Sequence, residues 1–333
     1  MRAYQVKSPG IDGLKEVELP RPTPGPRQIL VKVAACSLNY RDLAVVSGKY
    51  PAPTKADLIP LSDGAGEVVE IGPGVTHFSV GDKVAGNFTQ RWYGGQPAPE
   101  NGNYALGGTA DGMLAEYVVL EEQGAVKLPP NLSLEEGATL PCAGVTAWHA
   151  VVEYGRAKAG DVVLVQGTGG VSIFALQFAR AMGAAVIATS SSDEKLAHAK
   201  RLGAAHGINY KTNPEWDKAA VELSGGGVDL VVEVGGAGTF PRSLGAIKPG
   251  GKIGMIGVLT QGESNPLMIL GKRANVQGIS VGSTQMFEAM NRAIAVNGLK
   301  PVIDKVFPFA ATREAFRHLE SARHFGKIVI SLA

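Results

Sequence analysis

The sequence predicts an α/β protein in which a mainly-β N-terminal domain precedes a parallel β-sheet with helices on both faces. Three observations predict this class. Short β-branched stretches between glycines and prolines fill residues 1–125, where no long helical pattern occurs. From Asp161 onward, strand and helix patterns alternate, which is typical of a parallel sheet. A glycine-rich turn lies at the first strand–helix junction of that second region.

The N-terminal region contains four predicted strands: Ile29–Ala35, Gly66–Ile71, Asp82–Ala85 and Ala115–Leu120. The segment Gly86–Gly108 has little pattern and is predicted to be a long surface loop.

Residues Glu135–Tyr154 have helical periodicity, which Pro141 and Gly144 interrupt. The alternating region then comprises Val162–Gln166, a helix over Ile173–Gly183, Ala185–Thr189, a helix over Asp193–Leu202, Leu230–Val234, Gly251–Ile256 and Gln277–Val281. A helix over Thr312–Ala322 and a strand over Lys327–Ser331 end the chain. The predicted domains are residues 1–125 with 298–333, and residues 126–297.

Composition narrows the class of protein. A chain of 333 residues can form two domains with a large core. The net charge of +2 gives no basic field for nucleic acid, and no stretch of about 20 apolar residues predicts a membrane span. There is no pattern for export, and two cysteines, Cys36 and Cys142, make a disulfide framework implausible. We therefore expect a cytoplasmic protein.

The glycine-rich turn follows a strand that is apolar at four of five positions. It comprises Gly167, Thr168, Gly169, Gly170 and Val171, and a helical pattern follows it. Glycines let the backbone approach a pyrophosphate, and a helix N-terminus offers N–H groups to it. Ser172 stands where the usual motif has its third glycine. The turn predicts dinucleotide binding on a doubly wound Rossmann sheet; the alternative is a structural strand–helix turn.

The end of the second strand indicates which dinucleotide binds. A carboxylate that would hold an unphosphorylated ribose usually lies about 20 residues beyond the glycines. Here Ser190 and Ser191 occupy the strand end, and Lys195 follows. Hydroxyls and an ammonium suit a 2′-phosphate, so NADP(H) is favoured over NAD(H). Alternatively, Ser191 and Glu194 form a capping box at the start of the next helix. This structural role of Ser191 is compatible with phosphate binding.

Several motifs, in order, resemble those of the medium-chain dehydrogenase/reductase superfamily, which includes zinc alcohol dehydrogenases and quinone reductases. They are NYRD (39–42), PLSDGAGEVVEIGPG (60–74), VGDKV (80–84), AEY (115–117), LPCAGVT (140–146), GTGGV (167–171), LGAA (202–205) and GKIVI (326–330). The resemblance covers nearly the whole chain. It implies that the N-terminal domain is a GroES-like catalytic domain.

The zinc ligands of that superfamily are largely missing. Asn39 stands at the position of the first cysteine, and the triplet G-H-E reads Leu61–Ser62–Asp63, so only Cys142 matches a ligand. One thiol with an amide and a hydroxyl makes a poor zinc site, and no metal is predicted. The Gly86–Gly108 segment also contains no cysteine for a structural zinc. Cys142 is expected to pack as a small apolar side chain.

Zinc-free relatives typically reduce quinones or the C=C bond of α,β-unsaturated carbonyls with NADPH. The predicted function is therefore NADPH-dependent hydride transfer to such a substrate. Asn39, Tyr40 and Arg41 are the candidate donors that would stabilise the substrate oxygen, and Tyr40 or water would supply the proton. The alternative for Tyr40 is a packed aromatic ring, and for Arg41 an ion pair with Asp42.

The resemblance also implies further cofactor contacts, at Thr146, Tyr210, Gly235, Ile256, Gly257, Val258, Phe325 and Lys327. It implies a homodimer joined through the strand Gln277–Val281. Two other functions remain open: an NADP-dependent alcohol dehydrogenase or carbonyl reductase, and a non-enzymatic NADPH-binding protein.

Overall fold

A computed structural model describes residues 1–263 and 265–332. The chain forms two compact units, Met1–Val145 with Val281–Ala333, and Thr146–Ser280. The first unit is thus larger than the predicted residues 1–125 with 298–333. The difference arises because the helical residues after 133 and the helix before Gly298 pack on the strands of the first unit.

The strands are β1 (Arg2–Val6), β2 (Leu14–Glu18), β3 (Gln28–Leu38), β4 (Asp63–Ile71), β5 (Lys83–Gly86), β6 (Tyr117–Glu121), β7 (Ala125–Lys127), β8 (Val162–Gln166), β9 (Ala185–Ser190), β10 (His206–Asn209), β11 (Val228–Glu233), β12 (Ile247–Met255), β13 (Asn275–Gly278), β14 (Ile303–Pro308) and β15 (Lys327–Ser331).

The α-helices are α1 (Tyr40–Val46), α2 (Leu134–Gly137), α3 (Val145–Trp148), α4 (Gly170–Ala181), α5 (Asp193–Arg201), α6 (Trp216–Leu223), α7 (Phe240–Ala246), α8 (Leu267–Lys272), α9 (Thr284–Asn297) and α10 (Thr312–Glu320). Two π-helical turns, Leu140–Gly144 and His149–Tyr154, flank α3. They fall in the segment that Pro141 and Gly144 were predicted to interrupt. None of the helices in the described part of the chain is long and apolar enough to cross a membrane.

The first unit is built on a seven-stranded sheet with the order β14-β15-β3-β4-β5-β7, in which β6 also pairs with β3. Its strands pair antiparallel, except that β14 and β15 run parallel. The longest strand, β3, passes through the core of this unit, and buried apolar side chains from β15 and α10 pack with those of β3. This arrangement places the start of β4 and the start of β15 beside the end of β3.

The second unit has a six-stranded parallel sheet with the order β10-β9-β8-β11-β12-β13. Numbered within the unit, this is 3-2-1-4-5-6, the doubly wound order of dinucleotide-binding sheets. β8 and β11 are almost completely buried, as the apolar runs of their sequences predict. The predicted fold class is confirmed in both units.

Candidate active site

The glycine turn of the second unit lies after β8, at the point where the strand order reverses. Gly167 has a φ of +69°, a left-handed conformation that favours glycine. Gly169 has an ordinary φ of −78°, and a Cβ added there would meet no atom within 4 Å. Internal packing therefore does not explain the glycine at 169. The open space before the N-terminus of α4 fits close approach by a ligand phosphate.

Ser172 replaces the third glycine without loosening the turn. Its hydroxyl is buried and donates to the Gln166 carbonyl at 2.6 Å, so it joins the first turn of α4 to the end of β8. The backbone N–H of Gly167 donates to Thr189 Oγ1 at 3.3 Å. These two hydrogen bonds hold the turn to the ends of β8 and β9. Within the turn, Thr168 is buried and Val171 is half-buried.

The end of β9 shows which serine caps α5. The hydroxyl of Ser192, and not that of Ser191, accepts from the Lys195 backbone N–H at 3.3 Å. The capping box proposed for Ser191 and Glu194 is therefore wrong, because the helix begins one residue later than that box requires. Ser190 is buried, and its hydroxyl accepts from the Ser192 backbone N–H. Tyr210 follows β10, the neighbour of β9, and is 42% exposed.

Glu233 organises the turn that follows β11. Its buried carboxylate accepts from Gln166 Nε2 at 2.6 Å and from the N–H groups of Gly235 and Gly236 at 2.8 and 2.9 Å. Thr239 Oγ1 also donates to it, at 2.6 Å. The Gly235 N–H is thus engaged inside the protein, and its carbonyl accepts from the Thr260 N–H and hydroxyl at 2.8 and 2.9 Å, so both backbone polar groups of Gly235 have protein partners.

The segment after β12 is held against the same strand end. The N–H groups of Ile256 and Gly257 donate to the Glu233 carbonyl at 2.8 and 3.0 Å. A Cβ on Gly257 would lie 1.7 Å from the Val234 carbonyl oxygen, so close packing explains this glycine. Val258 is 82% exposed. Thr146, in α3 of the same unit, is buried.

In the first unit, the predicted catalytic triplet lies at the junction of β3 and α1. The N–H of Asn39 donates to the Asp42 carboxylate at 2.8 Å, which closes the N-terminus of α1. Asparagine before a helix usually caps it with its own side chain. Here the Asn39 side chain makes no such bond, and its Oδ1 accepts from Lys327 Nζ at 2.5 Å.

Lys327 is the first residue of β15, and its side chain is 2% exposed. The ammonium also donates to the Leu38 carbonyl at 2.7 Å and lies 3.8 Å from Asp63 Oδ2. The resemblance implied that Lys327 contacts the cofactor; the structure places its ammonium against Asn39 and Asp63. Phe325, two residues earlier, is buried, and its N–H donates to Asp304 at 3.0 Å.

Asp63 brings the three zinc-ligand positions of the superfamily together. Its carboxylate accepts from the Ser62 hydroxyl at 2.7 Å and from the Cys142 backbone N–H at 3.2 Å. Burial raises the pKa of Asp63, and the Lys327 ammonium opposes that rise. Leu61, which precedes this pair, is fully buried at a φ of +70°, a left-handed conformation that costs a non-glycine residue about 1–2 kcal/mol.

Arg41 points to a different neighbour. Its side chain is 10% exposed and lies over the rings of Phe88 and Tyr50, with its Cζ atom 4.7 and 5.3 Å from the centroids. Nη1 donates to the Leu106 carbonyl at 2.8 Å and lies 3.3 Å from Asp42. The geometry thus contains the ion pair that the structural alternative for Arg41 predicted.

Tyr40, by contrast, is 53% exposed. The loop over 86–108 contributes Phe88 and Trp92, which pack with Val281 and with the half-buried Cys142. The first unit therefore presents an exposed phenol beside Asn39 in the chain, and an aromatic cluster beside Cys142.

The donor set does not fit zinc. Zn²⁺ needs thiolate, neutral imidazole or carboxylate ligands in tetrahedral geometry. Of the three zinc-ligand positions, Cys142 alone offers a thiol, while Asn39 and Ser62 offer an amide and a hydroxyl. Within residues 1–263 and 265–332, no three His, Cys, Asp or Glu side chains are grouped to hold a metal. A buried ammonium, that of Lys327, already lies beside Asp63 and Asn39.

The partnership of Asp63 and Lys327 was not predicted from the sequence. There, Asp63 stands out only as part of the triplet Leu61–Ser62–Asp63, and Lys327 only as a cofactor contact implied by the resemblance. One signal was present: a lysine begins the apolar strand KIVIS, and a lysine buried in such a strand needs a charged partner.

The other cysteine, Cys36, is buried, and its thiol donates to the Met113 carbonyl at 3.0 Å. Burial raises the pKa of this thiol.

Comparisons with known proteins agree with both units. Residues 25–130 match the family model described as an alcohol dehydrogenase GroES-like domain. Residues 170–295 match the one described as a zinc-binding dehydrogenase.

Individual relatives match over the whole chain. A zinc-type alcohol dehydrogenase-like protein from Schizosaccharomyces pombe is 46% identical over 97% of this chain and 96% of its own length. A quinone oxidoreductase from Lama guanicoe is 28% identical over 100% of this chain and 98% of its own. A crystal structure of an NAD-dependent alcohol dehydrogenase, 35% identical, superimposes with a TM-score of 0.91 and covers 100% of both chains.

Proposed function

Because the chain belongs to the medium-chain dehydrogenase/reductase superfamily, we propose that it is a zinc-independent, NADP(H)-dependent reductase. The substrate class is a quinone or an α,β-unsaturated carbonyl, to which the nicotinamide delivers a hydride. Membership makes the chain an oxidoreductase that uses a nicotinamide cofactor; the metal-free chemistry, the choice of NADP(H) and the acceptor are the proposal.

The observation that carries the proposal is the side-chain cluster at the zinc-ligand positions. Asn39, Ser62 and Cys142 offer an amide, a hydroxyl and a protonated thiol, with the Lys327 ammonium beside them. Alcohol oxidation in zinc enzymes relies on a metal to stabilise the alkoxide. Hydride addition to a conjugated carbonyl instead spreads charge onto an oxygen that hydrogen-bond donors can hold. The cluster supports the second reaction.

The residues assigned to that reaction differ in their exposure. Asn39 is the proposed catalytic donor to the substrate oxygen. Tyr40 is exposed at the start of α1 and is the proposed proton donor, with water as the other source. Arg41 is held by the Leu106 carbonyl and Asp42, so we assign it to anchoring the loop over 86–108.

The cofactor proposal is NADP(H). The glycine turn after β8 has space for the pyrophosphate, and β9 ends at Ser190, which Ser191 follows, with no carboxylate at this strand end. The first carboxylate, that of Asp193, accepts from Asn209 Nδ2 at 2.8 Å, which draws it toward β10. The NAD-dependent structural relative makes NAD(H) the competing cofactor, so the two must be compared directly.

A homodimer is the proposed assembly. β13 is the edge strand of the second unit, and all four of its residues are exposed. The neighbouring helix α8 exposes Leu267 (67%) and Leu270 (73%). An unpaired strand edge beside exposed apolar side chains suits pairing with a second copy. Light scattering on the protein with charged substitutions at both leucines tests this assembly, and an unchanged mass would contradict it.

The function is tested by following NADPH and NADH oxidation against a panel of quinones, enals, enones and aldehydes, together with the metal content of the protein. We expect turnover of quinones or enones with NADPH, and activity that is insensitive to chelators. About one equivalent of zinc with chelator-sensitive turnover would instead favour an alcohol dehydrogenase or carbonyl reductase. Tight NADPH binding without turnover on any acceptor would favour a non-enzymatic role.

A further inference from the structure

We propose that Lys327 is a positioning residue that orients and polarises the Asn39 amide, so that an ammonium of the chain supports the donor to the substrate oxygen. The inference rests on the proposed function, since it assigns Asn39 Nδ2 to that oxygen. It gives Lys327 a role in the chemical step and not in holding the cofactor.

Lys327 fixes which end of the amide faces away from it. An ammonium can only donate, so the group 2.5 Å from Lys327 Nζ must be the acceptor Oδ1. The reversed amide would place its NH₂ against the ammonium. Because Asp42 closes the N-terminus of α1, the Asn39 side chain is not required as a cap. Its Nδ2 is buried and makes no well-aligned hydrogen bond within the described chain.

The same contact makes Nδ2 a stronger donor. Hydrogen bonds that follow one another through an amide polarise each other, and more so where the surroundings are buried. Lys327 and Asp63 are 2% and 0% exposed, so little water screens the ammonium. Negative charge on the substrate oxygen grows toward the transition state. A cation one amide away therefore stabilises the transition state more than the bound substrate.

Asp63 supplies the counter-charge for the buried ammonium, with its Oδ2 3.8 Å from Lys327 Nζ. Ser62 and the Cys142 backbone N–H hold that carboxylate in turn. Asn39 Nδ2 is also near enough to Asp63 to help lower the pKa of that carboxyl. The amide nitrogen carries two hydrogens, so one remains for a ligand.

The experiment compares Lys327→Met with the double variant Lys327→Met/Asp63→Asn, which removes both charges and avoids an uncompensated buried carboxylate. With an enone substrate, kcat should fall about tenfold in both variants, less than the roughly 100-fold loss that follows removal of a stabilising donor itself, because the Asn39 amide remains. The dissociation constant for NADPH, measured by direct titration, should change less than about threefold, well under a tenfold effect. The matched control is Lys252→Met in the second unit. Its Nζ donates to the backbone carbonyls of Tyr154 and Gly155 and lies 5.9 Å from the centroid of the Tyr154 ring, so its loss should leave kcat unchanged.

The loss of kcat should also be smaller for electron-poor quinones, because they need less stabilisation of the negative charge on the substrate oxygen. A purely structural role of Lys327 would not produce this trend. Wild-type kcat in the folded double variant would overturn the inference, as would weaker NADPH binding with unchanged kcat. Neither result would touch the proposed function. Only a wild-type protein that reduces no enone or quinone would overturn both.

Discussion

Gly169 tests whether the glycine turn after β8 binds the cofactor, because the packing of the protein does not require a glycine at this position. Its φ is −78°, and an added Cβ would meet no protein atom within 4 Å. In Gly169→Ala, reduced freedom of the unfolded chain stabilises by about 0.4–1 kcal/mol. Alanine is a poor residue at the start of a helix, and that cost is of similar size. The free energy of unfolding should therefore change by less than about 1 kcal/mol.

The effect on cofactor binding should be larger. The new methyl group projects into the space before the N-terminus of α4, where the pyrophosphate is expected, so the NADPH dissociation constant should rise at least about tenfold, or 1.4 kcal/mol. Calorimetric titration and urea unfolding give the two quantities. Gly271→Ala is the control, because an added Cβ in α8 also meets no atom within 4 Å. If Gly169→Ala bound NADPH as tightly as the wild type, the assigned cradle would be refuted.

Three further predictions concern cofactor choice, packing and charge. Lys195→Glu should raise the dissociation constant of NADPH at least about tenfold more than that of NADH; equal changes in a paired titration would remove the reason for preferring NADP(H). Gly257→Ala should lower the free energy of unfolding by about 1–3 kcal/mol, since its Cβ would lie 1.7 Å from the Val234 carbonyl oxygen, and urea unfolding would contradict this if the cost were negligible. Burial raises the pKa of Asp63 above its ordinary 3.8, so the native state holds the proton more tightly and wild-type stability falls as pH rises through that window. Asp63→Asn cannot bind this proton. If the difference in unfolding free energy between the wild type and Asp63→Asn stayed constant as the pH rose above 3.8, the assignment would be contradicted.

The fold was accessible from the sequence because its signals are local. The apolar run of β8, the glycine turn and the periodic helix α4 lie within about 20 residues, and each follows from residue type and spacing. Boundaries were harder. The edge strand was predicted over Gln277–Val281 and lies at Asn275–Gly278, because a strand exposed along its whole length shows no apolar alternation. Helical periodicity predicted one interrupted helix around α3. The structure has a π-helical turn on each side of α3.

Only part of the candidate site could be predicted from the sequence, because one of its contacts joins residues that are far apart in the chain. Asn39 and Cys142 were identified by resemblance, but the pairing of Asp63 with Lys327 spans 264 positions of the chain, and no local pattern predicts it. It depends on the antiparallel register that sets the end of β3 between the starts of β4 and β15. The capping serine of α5 was misassigned by one residue because three consecutive serines offer equivalent side chains.

The most direct test uses NADPH that carries deuterium at both C4 positions of the nicotinamide, with chelator-treated protein and the enone or quinone that it reduces best. We expect one deuterium atom per molecule of an enone product, or label passed to the quinol oxygen and lost to water for a quinone, at the rate of untreated protein with the same cofactor. Turnover that returned only after zinc was restored would contradict metal-free hydride transfer.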